Sequence, residues 1–116
     1  MTRTTNPNFR AGVPELMILR LLQNRPMYGY EIVEAIRTES GDVVSLGEGV
    51  VYTVLHALER EGALKSHRKT VEGRSRVYYT LTTAGLKRYG DLAQNWSALA
   101  DAIRTVIKGG RRVPAT

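Results

Sequence analysis

Cysteine is absent from this chain, histidine occurs only twice, and tryptophan and phenylalanine once each. Without thiols there is neither a disulfide framework nor a thiolate metal site, and His56 and His67 do not stand at a metal-ligand spacing on one element. No Gly-rich phosphate loop follows a buried strand, and the acids Glu59 and Glu61, two apart on a helical segment, point to different sides. Enzymatic chemistry, a metal and a cofactor are therefore not expected. Long hydrophobic runs are also lacking: none approaches the ~20 residues of a membrane-spanning helix, and the polar opening from Met1 to Arg10 holds nothing that would serve as a secretion signal. The expected setting is soluble and cytoplasmic, with no membrane partner.

What is present is a chain of 116 residues, 42% apolar, with a net charge of +6. That length accommodates one compact domain. A basic balance points to a polyanionic partner, nucleic acid or an anionic surface, without choosing between them. The excess is local. Residues 1 to 63 carry six basic and eight acidic side chains, whereas Lys65, Arg68, Lys69, Arg74 and Arg76 crowd into one short stretch against the single acid Glu72. A second cluster, Lys108, Arg111 and Arg112, lies in a Gly- and Pro-containing tail.

Hydrophobic patterning orders the rest. Val13 to Gln23 is apolar on most sides and predicts an enclosed helix, broken at Asn24-Arg25-Pro26. Tyr28 to Glu39 resumes with Ile32, Val33 and Ile36 on one stripe, and Ser40-Gly41 ends it. From Gly47-Glu48-Gly49 a third helix shows Val51, Val54, Leu55 and Leu58 at i, i+3, i+4 and i+7, closed by Gly62. Its opposite face, Tyr52, Thr53, His56 and Arg60, is free to touch a partner. Two strand-like runs, Leu64 to Lys69 and Val77 to Leu81, flank a Gly-containing tip at residues 70–75, so the basic cluster is a β-ribbon. Thr82 or Thr83 then caps a last helix running to about Lys108, ~38 Å at 1.5 Å per residue. On it Tyr89, Leu92, Trp96, Leu99, Ile103 and Val106 alternate steps of three and four, the seam of a coiled coil, which predicts a two-fold dimer.

Helix, helix, polar-faced helix and basic ribbon is the order of a winged helix-turn-helix, whose third helix enters the major groove while the ribbon reaches the neighbouring backbone or minor groove. The expected fold is mainly α with a small β-hairpin wing. A DNA-binding domain is assigned to 10–82, a dimerisation helix to 83–108 and flexible ends to 1–9 and 109–116.

The runs GYEI (29–32), GEGVVYTVLHALEREG (47–62) and GRSRVYYTLT (73–82) resemble the PadR family of bacterial transcriptional regulators, and the resemblance covers about residues 10–108. The single terminal helix is similar to the short-form subfamily, and Trp96-Ser97 to a lactococcal multidrug-binding regulator within it. The resemblance implies a homodimeric repressor on double-stranded operator DNA, with Val50, Tyr52, Thr53, His56, Lys69, Arg74 and Arg76 as DNA contacts. It also implies a planar aromatic ligand at the dimer centre against Trp96, Leu99, Ala100 and Glu15. Two departures bear on this. The acid expected four positions after the tryptophan is Ala100, with Asp101 one step round the helix, and Val50, Thr53 and Ala57 stand where Thr, Pro and Arg are common.

Alternatives remain at the level of single residues. Trp96 fits both a packed dimer seam and a stacking face for a ligand. Glu15 faces solvent or the space near Trp96, and the ribbon charges serve phosphate contact or solubility. A winged-helix protein-interaction or structural module without sequence-specific DNA binding is the competing class.

Overall fold

The computed structural model describes residues 9–109 of the chain. In order these form α1 (Phe9–Leu21), β1 (Met27–Tyr28), α2 (Gly29–Glu39), α3 (Glu48–Arg60), β2 (Leu64–Val71), β3 (Arg74–Leu81) and α4 (Thr83–Ile107). The ends at 1–9 and 109–116, with Arg111 and Arg112, fall outside the described residues apart from positions 9 and 109.

Burial follows the apolar stripes. Ile18 and Leu19 of α1, Ile32 and Ile36 of α2, Val51, Leu55 and Leu58 of α3, and Leu64 of β2 are at most 2% exposed and form one core. Burying each such side chain contributes roughly 1.5–3 kcal/mol, so the inner stripe of α3 fixes that helix against the core. No polar or charged residue is buried among the described residues.

The first helix starts four residues ahead of the expected Val13 and winds through Pro14. A proline discourages the helical conformation of its predecessor, lacks the N–H for the bond to the residue four back and crowds that carbonyl, yet the helix continues through it. Tyr28, expected to open the second helix, instead forms a two-residue strand with Met27. It pairs antiparallel with β3, Met27 opposite Tyr79 and Tyr28 opposite Tyr78, giving a three-stranded sheet in the order β1-β3-β2. α2 therefore starts at Gly29, where the Tyr28 N–H donates to Glu31 Oε1 at 3.3 Å and Arg25 holds the same carboxylate at 3.3 Å. The hairpin is longer and its turn tighter than expected. β2 and β3 pair continuously from Leu64–Leu81 to Val71–Arg74, leaving only Glu72 and Gly73 as the turn. Both have positive φ, 52° and 78°, as a two-residue turn matched to strand twist demands.

Thr82 caps α4: its Oγ1 accepts from the Gly85 N–H at 3.0 Å and donates to the Gly62 carbonyl at 2.7 Å. At Gly85 the helix lies directly on the Ala63 backbone carbonyl, closely enough that a side chain has no room. Tyr89 and Leu92 pack on the core. Beyond them the seam emerges, with Trp96, Leu99 and Ile103 about 40% exposed and Val106 and Ile107 about three-quarters exposed. Arg88 fastens α4 to the rest of the molecule, pairing through Nε with Glu15 of α1 and through Nη1 with Glu61, the C-cap of α3, at 2.6 Å. These carboxylates, Glu15 foremost, raise the guanidinium pKa above its ordinary value despite partial burial.

Candidate nucleic-acid interface

Alternation along the hairpin divides its side chains between two faces. Ser66, Arg68, Ser75, Val77 and Tyr79 look toward α3, while His67, Lys69, Arg76 and Tyr78 lie on the other side with Tyr28. Tyr79 is buried, and its hydroxyl pKa is raised first by burial and then by the nearby Glu59 carboxylate and Tyr52. Ser66 donates to Glu59 at 2.5 Å, tying the base of the hairpin to α3. Toward its tip the hairpin stands off the helix and encloses a groove of about 640 Å³.

The groove is lined by Tyr52 and His56 from α3, Tyr28 and Tyr30 from the start of α2, and Arg68, Arg74, Ser75 and Arg76 from the hairpin. Tyr52 is positioned by an absence. A Cβ at Gly29 would stand 2.7 Å from Tyr52 Cε1, so the ring occupies the space that any other residue at 29 would fill. The His56 ring lies 6.0 Å from that of Tyr52, with its own face exposed. Among the sequence-derived candidates, the structure brings Tyr52, His56, Arg74 and Arg76 around one groove. Val50 and Thr53 lie outside its lining, exposed on the N-terminal half of α3.

The cations are not equivalent. Arg76 donates to the Tyr28 hydroxyl at 2.8 Å and its guanidinium sits 4.3 Å over the Tyr28 ring. Lys69, directly opposite Arg76 in register, lies 5.4 Å over the Tyr78 ring, which also stacks with His67. Both are held against aromatic faces. Arg68 donates to the Ser75 hydroxyl at 3.2 Å. Arg74, at the tip, is exposed, and its side chain makes no hydrogen bond or ion pair among the described residues. Tyr28, Tyr30 and Arg68 are groove residues that the sequence-derived set lacks. Arg68 belongs to the basic run, and the two tyrosines flank Gly29, but only the fold shows that they converge.

The proposed ligand positions are more dispersed. An apolar recess of about 300 Å³ opens between α1, α2 and α4, with Leu16, Met17, Ile36, Tyr89 and Trp96 in its walls and Arg20 and Glu39 at its margin. Leu99 and Ala100 lie further along α4, outside this lining, and the Glu15 carboxylate is engaged by Arg88. Among the described residues there is no cluster of three or more potential metal ligands, and no helix is long and apolar enough to cross a membrane.

Residues 18–91, from the core of α1 to the first turns of α4, match the profile of the transcriptional regulator PadR-like family. The chain belongs to that family. It is 38% identical over 101 residues to a transcriptional regulator of Mycobacterium tuberculosis, covering 87% of this chain and 89% of that protein. A transcriptional regulator from Clostridium thermocellum superimposes with a TM-score of 0.76 at 31% identity, over 81% of this chain and 92% of that one. A PadR family transcription regulator from hypervirulent Clostridium difficile gives 0.72 at 26% identity, over 81% and 97%. This PadR-like protein is accordingly a DNA-binding transcriptional regulator and not an enzyme, its described residues forming four helices and a three-stranded sheet in the winged-helix arrangement.

Proposed function

We propose that this PadR-like regulator is a cytoplasmic homodimeric repressor whose two heads occupy successive major grooves of a palindromic operator. The observation that carries the reading is the groove between α3 and the hairpin, where tyrosine hydroxyls and three arginines surround a space beside the exposed face of α3. A duplex backbone suits that space: phosphate oxygens accept from Arg74, Arg68 and Tyr52 while α3 presents Val50, Thr53 and His56 to base edges. Lys69 adds positive charge on the hairpin beside the groove, and Arg76 braces the hairpin through Tyr28. The exposed seam of α4 is buried against the same helix or the first helix of a second copy, since Leu99, Ile103, Val106 and Ile107 leave much of their apolar surface exposed among the described residues.

Phosphate and base contacts separate experimentally. Arg74→Ala is expected to weaken every duplex alike and to reduce the slope of log K against log[salt] by about one. His56→Ala is expected to narrow the gap between operator and random DNA by about 1–3 kcal/mol. Titrations of both variants at several salt concentrations check this. Unchanged slope together with unchanged specificity would leave the protein-interaction reading in place.

Trp96 gives regulation a site within this reading. It borders the apolar recess, next to the exposed seam, so a flat aromatic molecule held between paired copies would stack on it, as expected for a short-form member similar to the lactococcal drug-binding regulator. The carboxylate available at the recess is Glu39 rather than Glu15. Micromolar planar aromatics are expected to quench the emission of this single tryptophan and to lower operator affinity by 5- to 150-fold, the range for a coupling of about 1–3 kcal/mol. Trp96→Leu should keep the dimer and repression yet lose the response. Emission and DNA affinity both indifferent to a broad panel would make Trp96 a packing residue only.

A further inference from the structure

The outward stripe of α3 begins with Val50, 46% exposed, and continues through exposed Thr53 and His56 at steps of three. Only the last is a predominantly polar side chain. A β-branched valine at an exposed helical position is a poorer helix former than lysine, glutamate or alanine, and nothing in the core uses this one. The backbone beside it is equally suggestive. Gly47 and Gly49 flank this turn; neither has positive φ, and a Cβ at either would meet nothing within 4 Å. The fold does not demand glycine at these two places, but bare backbone there lets another surface close around the Val50 methyls.

The chemistry of the major groove narrows what that surface can be. Adenine, guanine and cytosine show hydrogen-bonding groups there, whereas thymine adds a 5-methyl. Pressed on the first three, a valine strips water from donors and acceptors and returns no hydrogen bond. Against thymine it buries methyl on methyl. Threonine one turn on carries a second methyl together with a hydroxyl for a neighbouring edge or phosphate. The cationic hairpin beside α3 draws a polyanion to this face.

We propose that Val50, assisted by Thr53, reads the 5-methyl group of thymine in each half-site, so that operator preference depends on a methyl contact as well as on hydrogen bonds from His56. This rests on the DNA-binding reading above and adds the base that the first turn of α3 selects.

The test uses the full chain and duplexes selected by it from a random pool. Uracil replaces thymine at one position at a time, which removes the methyl and leaves the pairing intact. At one or two positions in each half-site the wild-type protein is expected to lose about fourfold in affinity per methyl, the value of one buried carbon group. Val50→Ala should bind the thymine and uracil duplexes equally at one of those positions. If every uracil duplex binds the wild type like its parent, or if Val50→Ala discriminates as fully as the wild type, the inference is overturned while sequence-specific DNA binding stands. If selection yields no preferred duplex, the DNA-binding reading falls and this one with it. The wild-type comparison needs no variant to fold.

Discussion

Gly85→Ala is expected to destabilise the protein by about 3 kcal/mol, the upper part of the range for an overpacked site. At roughly 4–8 °C per kcal/mol in a domain of this size, the melting temperature should fall by about 12–24 °C. The added methyl would meet the backbone carbonyl of Ala63, and Leu81 Cδ1 at 2.8 Å as well. A side chain can turn away, but the Ala63 carbonyl is held by the Thr82 N–H at 3.1 Å. Relief therefore requires α4 to lift from the head. Gly90→Ala on the same helix should act in the opposite sense, because a Cβ there meets nothing within 4 Å and alanine is the better helix former by about 1 kcal/mol. Thermal unfolding of both variants at one protein concentration decides the matter. Equal shifts of the same sign would contradict the close approach at Gly85.

Leu99→Asp is expected to separate the proposed dimer and to lower operator affinity by roughly 10²–10⁴-fold, since two linked heads bind with an effective concentration that single heads lack. Leu99 lies in the exposed stripe of α4 between Trp96 and Ile103, and an aspartate in an apolar seam is a charge without a partner. The change should leave the head folded, because Leu99 lies beyond the core contacts of Tyr89 and Leu92. Sedimentation should show a species of monomer mass, and circular dichroism should show retained helix. A variant that still sediments as a dimer would place the subunit contact elsewhere.

The parts of this molecule that were legible in the sequence are those governed by neighbours three or four residues away. Val51, Leu55 and Leu58 announced α3 by spacing, and all three are buried. The position of Thr82 ahead of a helical run marked a cap, and its hydroxyl takes that role. The alternating step of α4 likewise predicted an apolar stripe, which stands exposed along one side. What escaped depends on distant partners. β1 exists because Met27 and Tyr28 find Tyr79 and Tyr78 some fifty residues later; alone, two residues carry no strand pattern. Nor does a tyrosine's own neighbourhood show that Gly29 makes room for Tyr52. The tight turn depended on Glu72 accepting positive φ, a conformation to which glutamate has no local inclination.

The candidate interface divides along the same line. Residue types and their order named Tyr52, His56, Arg74 and Arg76, all of which border one groove, but Tyr30 and Arg68 needed the fold to bring them in. Similarly, a lone acid on an apolar helix looked available to a ligand. Arg88, 73 residues away in the chain, engages Glu15 instead.

That double contact of Arg88 with α1 and the end of α3 has a mechanical consequence. From Arg88 to Val106 the helix runs eighteen residues, about 27 Å, with progressively less of its surface held by the head. The ion pairs thus act as a fulcrum near one end of a lever. A tilt of about 10° there sweeps the far end through about 5 Å, by the same helical rise. Because Glu61 also terminates α3, any force that shifts Arg88 is delivered at once to the helix proposed to enter the major groove.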